Sequence, residues 1–293
     1  MTRRDYFDLF LLSAFWGISF LLIKFAGHDF PPVWVALLRS VFGTAVLLLA
    51  LTWGRVGFPP RQYWPALLLV AVLNNAFPWL MFALGEQTVS SSIASILNAT
   101  TPLFTLFIAF GLRESRPTLR VWLGVLVGLL GVMLTVSGGL QGGQASLAGV
   151  AMILAAALSY GLGGVIAKKT LSGLKPLSVA TTQLLLSSLI LLPFGVLGAH
   201  PAEVSLKAWA SVIVLGVVGS GLAYLVFYNL LARVSPTQTT AVTYILPIWG
   251  LFWGALAGEH VGAGSLLGVV VVLAGLGLMN SRSRVGMSNR LTV

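Results

Sequence analysis

Asn98-Ala99-Thr100-Thr101-Pro102 and, far along the chain, Thr243-Tyr244-Ile245-Leu246-Pro247 decide how this sequence is read. In each, a proline interrupts a long hydrophobic run, and a glutamate (Glu114 or Glu259) follows twelve positions later, where the run ends. The offset between the two copies is 145 for both the proline and the glutamate, and the pairs Phe82/Phe227 and Trp64/Trp209 share it. At offset 144 come Gly17/Gly161, Lys24/Lys168, Pro32/Pro176, Gly124/Gly268 and Gly131/Gly275. The chain is written twice, and a repeat on this scale is a statement about architecture.

Of the 293 residues 57% are hydrophobic and 8% charged, against about 25% charged in a water-soluble domain. Apolar runs of about 20 residues are what membrane-crossing helices require. Ten such segments can be read, near 8–26, 33–53, 64–85, 91–112, 119–138, 146–167, 177–198, 207–232, 236–257 and 263–280. The connections are short and rich in turn residues, and Gly142-Gly143-Gln144 is a natural joint between residues 1–140 and 141–293. Arg3 and Arg4 ahead of an apolar run resemble a leader. That run, however, holds Trp16 and Lys24 and ends without a small-x-small site, so it reads as the first retained helix.

Charge placement gives an orientation. With the N-terminus cytoplasmic, fourteen of the seventeen basic residues fall on the cytoplasmic side, Lys207 falls opposite, and Lys24 and Arg39 lie within helices. This is the asymmetry of the positive-inside rule. It also accounts for the net charge of +10 without nucleic acid, since no basic groove with interleaved aromatics is present. Five segments per half is an odd number, so the second half crosses the membrane upside-down relative to the first. The expected fold is an all-α polytopic membrane protein, ten transmembrane helices in two inverted five-helix repeats, with both termini cytoplasmic. Inverted repeats around a midplane site are an architecture of secondary transporters.

Ten helices in two five-helix halves, the start Ala14-Phe15-Trp16-Gly17, and a proline-then-glutamate fourth helix in each half resemble the drug/metabolite transporter superfamily. Within it the chain is similar to EamA-type exporters, and most of all to YddG-type amino acid exporters. The second half departs from the pattern, with Ser159-Tyr160-Gly161 where the first has Phe15-Trp16-Gly17. The resemblance implies export of small metabolites, often amino acids including aromatic ones, across the bacterial cytoplasmic membrane. Its alternatives are a channel-like facilitator and an exporter of drugs or other metabolites.

Polar residues at mid-helix face protein or water, because lipid satisfies none of their hydrogen bonds. On the fourth segment Ser91, Ser95, Asn98 and Pro102 share one face, and Thr243 and Pro247 repeat the pattern on the ninth, so both stripes are expected to point to a shared interior. For the serines and threonines, helix–helix packing is the competing reading. The substrate-binding candidates are Trp16, Asn74, Asn98, Tyr160, Gln183, Tyr224 and Tyr244. The amides would meet the polar end of a small zwitterion, and the rings would form a flat wall for its side chain. Pro102 and Pro247 each remove a backbone hydrogen bond and are the gating candidates. Lys24 and Arg39 sit in the outer parts of their helices, where long side chains snorkel to the headgroups; a charge contact with substrate or gate is the alternative.

Other chemistries lack their residues. There is no cysteine, the three histidines lie outside the apolar segments, and no His/Asp/Glu cluster suggests a metal or a cofactor. The chain reads as no enzyme, with the bilayer and a small-molecule substrate as its partners. Glu86, Glu114 and Glu259 lie at segment ends, where acids are solvated or cap a helix. With no acid at mid-membrane, a proton relay has no visible carrier, and substrate is expected to move down its own gradient.

Overall fold

The computed structural model describes residues 2–113, 117–231, 233, 242–260 and 262–280; of Tyr228, Leu231, Tyr244 and Asn280 it describes the backbone. Glu114, Arg116, Pro236, Arg282, Arg284 and Arg290 lie outside the described residues. Over these residues the chain is helical, without strands. In order come α1 (Arg3–Ala26), α2 (Pro32–Trp53), α3 (Trp64–Ala71), α4 (Phe77–Gly85), α5 (Ser91–Asn98), α6 (Thr101–Gly111) and α7 (Leu119–Gln141). Then follow α8 (Leu147–Thr170), α9 (Pro176–Leu197), α10 (Leu206–Gly216), α11 (Ala223–Leu231), α12 (Val242–Leu256) and α13 (Ala263–Asn280).

Among the described residues, eight helical stretches are long and apolar enough to cross a membrane, and Ile245–Leu256 and Ala263–Met279 are shorter apolar helices. The outward faces are apolar as well: Leu126, Leu130 and Met133 on α7 and Leu267 and Val270 on α13 are exposed. A belt of that kind is costly against water and suits lipid. The chain is a multi-pass membrane protein.

Helix starts follow local chemistry. Thr2 and Asp5 form a reciprocal capping box at α1, with Thr2 N–H donating to Asp5 Oδ2 at 2.7 Å. Ser90, Ser146 and Ser205 cap α5, α8 and α10 through their hydroxyls. Pro32 and Pro176 open α2 and α9, where a missing N–H costs nothing.

Two long apolar stretches change their winding. A π-helical turn at Val72–Ala76 joins α3 to α4, and another at Val217–Leu222 joins α10 to α11. The fourth segment is broken as well. Pro102 has no N–H to give the Asn98 carbonyl, which accepts instead from Thr101 Oγ1 at 2.8 Å, and the helix divides into α5 and α6. Pro247, by contrast, sits inside α12.

Small residues set the closest helix contacts. α7 and α13 pack antiparallel along glycines. A Cβ on Gly124 would strike the Gly275 carbonyl, one on Gly131 the Val272 amide, and one on Gly138 the Gly264 backbone. The small-residue pairs thus serve a helix pair within the chain. α2 and α9 also cross antiparallel, with the Ser40 and Ser187 hydroxyls 3.0 Å apart and Gly43 beside Leu184. α5 lies antiparallel to α12, where Gly250 and Gly254 leave room for Ser95 and Ser92.

Candidate functional site

The helices enclose a cavity of about 640 Å³ at the centre of the bundle. Six of the seven substrate-binding candidates line it: Trp16, Asn74, Asn98, Tyr160, Gln183 and Tyr224. The side chain of Tyr244 lies outside the described atoms, although its neighbours Thr243 and Leu246 line the cavity. The π-helical turn of Val72–Ala76 places the two asparagines. Asn74 reaches the cavity, while Asn75 is fully buried and its Nδ2 donates to the Tyr224 hydroxyl at 3.2 Å. The break after α5 turns Asn98 toward the cavity, and its Oδ1 is buried without a hydrogen-bond partner among the described residues. A buried polar atom left unpaired costs about 1–3 kcal/mol, so this is where an incoming donor is worth most.

Arg39 corrects the reading of a snorkelling side chain. It is 7% exposed, and it lines the cavity. Its Nε donates to Ser220 Oγ at 2.9 Å, and its guanidinium carbon lies 4.2 Å from the centre of the Trp79 ring. Among the described residues no carboxylate stands within ion-pair distance of it. Ser220 belongs to the second π-helical turn, so that distortion holds the arginine as the first holds the asparagines. Sequence reasoning left four rings out of the site: Phe20, Trp79, Phe82 and Phe227 also line the cavity. Trp79 had a signal, since it lies four and five positions after the paired asparagines; the phenylalanines had none that separates them from ordinary core.

The serines go elsewhere. Ser91 and Ser92 turn their backbone N–H groups and hydroxyls to the carboxylate of Glu259, at 2.7–3.0 Å. Ser95 donates to the Ser92 carbonyl and packs against Gly250. The expected stripe therefore faces the cavity only from Asn98 onward, through Asn98 and Thr101. Pro102 and Pro247 are not part of the wall; each is next to a residue that is.

Lys24 also departs from the snorkelling reading. Its Nζ lies 2.7 Å from Glu259 Oε1, although the side chain keeps 40% of its surface exposed. This ion pair ties α1 to the start of α5 and to the segment after α12. Close by, Ser90 N–H donates to the Gln144 carbonyl at 2.9 Å, the Gln144 side chain donates to the His260 carbonyl, and the Thr88 and Ser146 hydroxyls meet at 2.7 Å. This end of the bundle is closed by polar contacts. At the other end the cavity lining continues from Ala167, near the end of α8, through Leu171 to Pro176, at the start of α9.

Comparison with known proteins fits this arrangement. The model of the "EamA-like transporter family" matches residues 6–137 and again 147–281. The chain is 28% identical over 256 residues to "Uncharacterized inner membrane transporter YedA" of Escherichia coli (strain K12), covering 86% of this chain and 82% of that protein. It is 27% identical over 270 residues to "Uncharacterized transporter YdfC" of Bacillus subtilis, covering 91% and 87%. It is 25% identical over 291 residues to a "Probable amino-acid metabolite efflux pump" of Salmonella typhimurium, covering 94% of each. A solved structure described as "Crystal structure of protein" superposes with a TM-score of 0.69 at 17% identity, over 96% of this chain and 98% of that one, and so shares its fold. Matched by the family model across nearly its whole described length, the chain belongs to the EamA-like transporter family, within the drug/metabolite transporter superfamily.

Proposed function

We propose that this protein exports amino acids, aromatic ones included, from the cytoplasm by alternating access. The observation that carries the proposal is Arg39: a buried guanidinium on a cavity wall, with no acid paired to it among the described residues, amid the rings of Trp16, Trp79, Tyr160 and Tyr224. A buried charge without a partner is costly. The carboxylate of a substrate relieves that cost, and the planar fork holds it in two parallel hydrogen bonds. Asn98, with its free Oδ1, is an acceptor for the ammonium group. The rings take the side chain. The YddG-type resemblance and the description of the Salmonella relative as a probable amino-acid metabolite efflux pump support the same substrate class.

The proposed architecture is ten crossings in two inverted repeats, residues 1–140 and 141–293, with both termini in the cytoplasm. It is supported by three antiparallel pairs, each joining counterpart segments of the two halves: α2 with α9, α5 with α12, and α7 with α13. The π-helical turns begin at Val72 and Val217, at the same offset of 145 as the two prolines. In that orientation the latched end faces outward and the cavity lining reaches the cytoplasmic side. The latch favours a carrier over a channel-like facilitator.

The test is exchange in proteoliposomes loaded with labelled phenylalanine. External amino acids should drive its exchange, while the matching amines, which lack the carboxylate, should not. If the amines compete as well as the amino acids, the site is not built on Arg39, and a broader drug or metabolite exporter is the better reading.

A further inference from the structure

Glu86 follows directly on the Arg61–Gly85 span and is 4% exposed. Neither carboxylate oxygen has a hydrogen-bond partner among the described residues. An ionised carboxylate in that position is not sustainable; it takes a proton or finds a cation. The cation nearby is already committed. Phe20 of α1 and Phe82 of α4 meet edge-to-face at 5.7 Å on the cavity wall. Lys24 and Glu86 each lie four residues beyond one of these rings, one helical turn on, along the same face. Lys24, however, is bonded to Glu259. The lysine thus stands between two carboxylates, one fully satisfied by Ser91, Ser92 and Lys24, the other without a hydrogen-bond partner among the described residues.

The other groups facing Glu86 are few. α2 contributes Arg39, which is held by Ser220 and Trp79. α8 contributes Gly149 and Ile153 against Gly85, neither of them titratable, and Tyr160 further along, against Phe82. Burial, and after it the charge of Glu259, push the Glu86 carboxyl well above its ordinary 4.5, with Lys24 and Arg39 opposing.

We propose that Glu86 is a proton-binding site that sets the latch between Lys24 and Glu259. Protonated, it leaves the lysine to Glu259 and this end of the bundle stays shut. On deprotonation the carboxyl O–H bond breaks, the electron pair stays on the oxygen, and the proton passes to water in the cavity below Phe82. The resulting carboxylate draws Lys24 from Glu259 and loosens this end. Under the export reading above, a proton taken up from outside closes the outer latch and is released toward the cytoplasm, so protons and substrate move in opposite directions. This replaces the expectation that the chain has no carrier for a proton.

The test reads the latch itself and needs no substrate, so it stands even if the amino acid reading fails. The chain has no native cysteine. Val89→Cys places a thiol at a buried site beside the latch, and Gln87→Cys places one at an exposed site. Both are labelled with a membrane-impermeant maleimide in lipid vesicles across a pH series. The Val89→Cys rate divided by the Gln87→Cys rate removes the pH dependence of the thiol reaction. This ratio should climb with pH by up to about tenfold per unit, the steepest slope one titrating carboxyl gives. In a Glu86→Gln background it should stay low at every pH, and in Lys24→Gln it should stay high at every pH. Should Glu86→Gln fail to fold, Glu86→Asp serves in its place and should move the midpoint rather than abolish it. A ratio independent of pH in the native background, or an unchanged profile in the Glu86 variants, overturns the proposal.

Discussion

Asn75 and Tyr224 join the two halves of the bundle at its centre: Asn75, in the first π-helical turn, donates to the hydroxyl of Tyr224, two residues past the second. Asn75 Oδ1 has no partner among the described residues, so this is the hydrogen bond that satisfies the buried amide. Tyr224→Phe removes the acceptor and should lower stability by about 1–3 kcal/mol, the cost of a stranded buried polar group. Asn75→Leu removes the donor as well, and the double variant should lose less than the sum of the two single losses. Thermal unfolding of the four proteins in one detergent measures this; strictly additive losses would show that the two residues act independently.

Asn98 and Leu97 are sequence neighbours with opposite duties. Asn98 faces the cavity with an unpartnered Oδ1, and Leu97 is fully buried in the core. Asn98→Ala should leave membrane abundance unchanged and weaken amino acid exchange several-fold, because a hydrogen bond to a charged partner is worth about 1.5–3 kcal/mol. Leu97→Ala should do the reverse, with a folding cost of about 2–5 kcal/mol and less protein in the membrane. Equal transport per folded molecule in the two variants would remove Asn98 from the site.

The sequence alone reached the amides and several rings of the candidate site because their signal is chemical. An asparagine or glutamine in an apolar run has to face something other than lipid, and Asn74, Asn98 and Gln183 all face the cavity. Arg39 and Glu86 were misread for a shared reason. A charge near the end of an apolar segment is assigned to the headgroups or to water, and sequence position does not say which neighbouring helices cover that end. Here Ser220 and Trp79 cover Arg39, while α1, α8 and the segment around Glu259 enclose Glu86. The π-helical turns were illegible too, since nothing in Val72–Ala76 distinguishes i→i+5 from i→i+4 bonding before the neighbours are known.

Gly131 and Gly277 separate close packing from mere glycine content. A Cβ on Gly131 would meet the Val272 amide nitrogen at 2.5 Å, whereas nothing stands within 4 Å of a Cβ on Gly277. Gly131→Leu should force α7 and α13 apart and sharply reduce the folded protein recovered. Gly277→Ala, on the same helix pair, should be neutral or slightly stabilising, since alanine is the better helix former by about 1 kcal/mol. Fluorescence-detected size-exclusion profiles report both, and a normal Gly131→Leu profile would mean that the interface is looser than its glycines indicate.

Asp29 fastens the turn between α1 and α2 to the start of α10. Its Oδ2 accepts from the Ser205 backbone N–H at 2.9 Å and from the Ser205 hydroxyl, and its Oδ1 lies 2.7 Å from His28 Nδ1. The Ser205 hydroxyl first, then His28 and the Ser205 amide, hold the carboxyl at about 2, below its ordinary 3.8. A carboxyl that is more acidic folded than unfolded contributes its stabilisation in full above the unfolded value, and loses it as pH falls toward the folded one. The contribution of Asp29 is therefore complete above about pH 4 and fades between about 4 and 2. Asp29→Asn keeps the shape without the titration. Other carboxyl groups titrate in both proteins, so the comparison lies in the difference between their unfolding midpoints. That gap should be constant at neutral and mildly acidic pH and should narrow below about pH 4. A gap that stayed constant down to about pH 2, or widened there, would show that Asp29 does not fasten this turn through its charge.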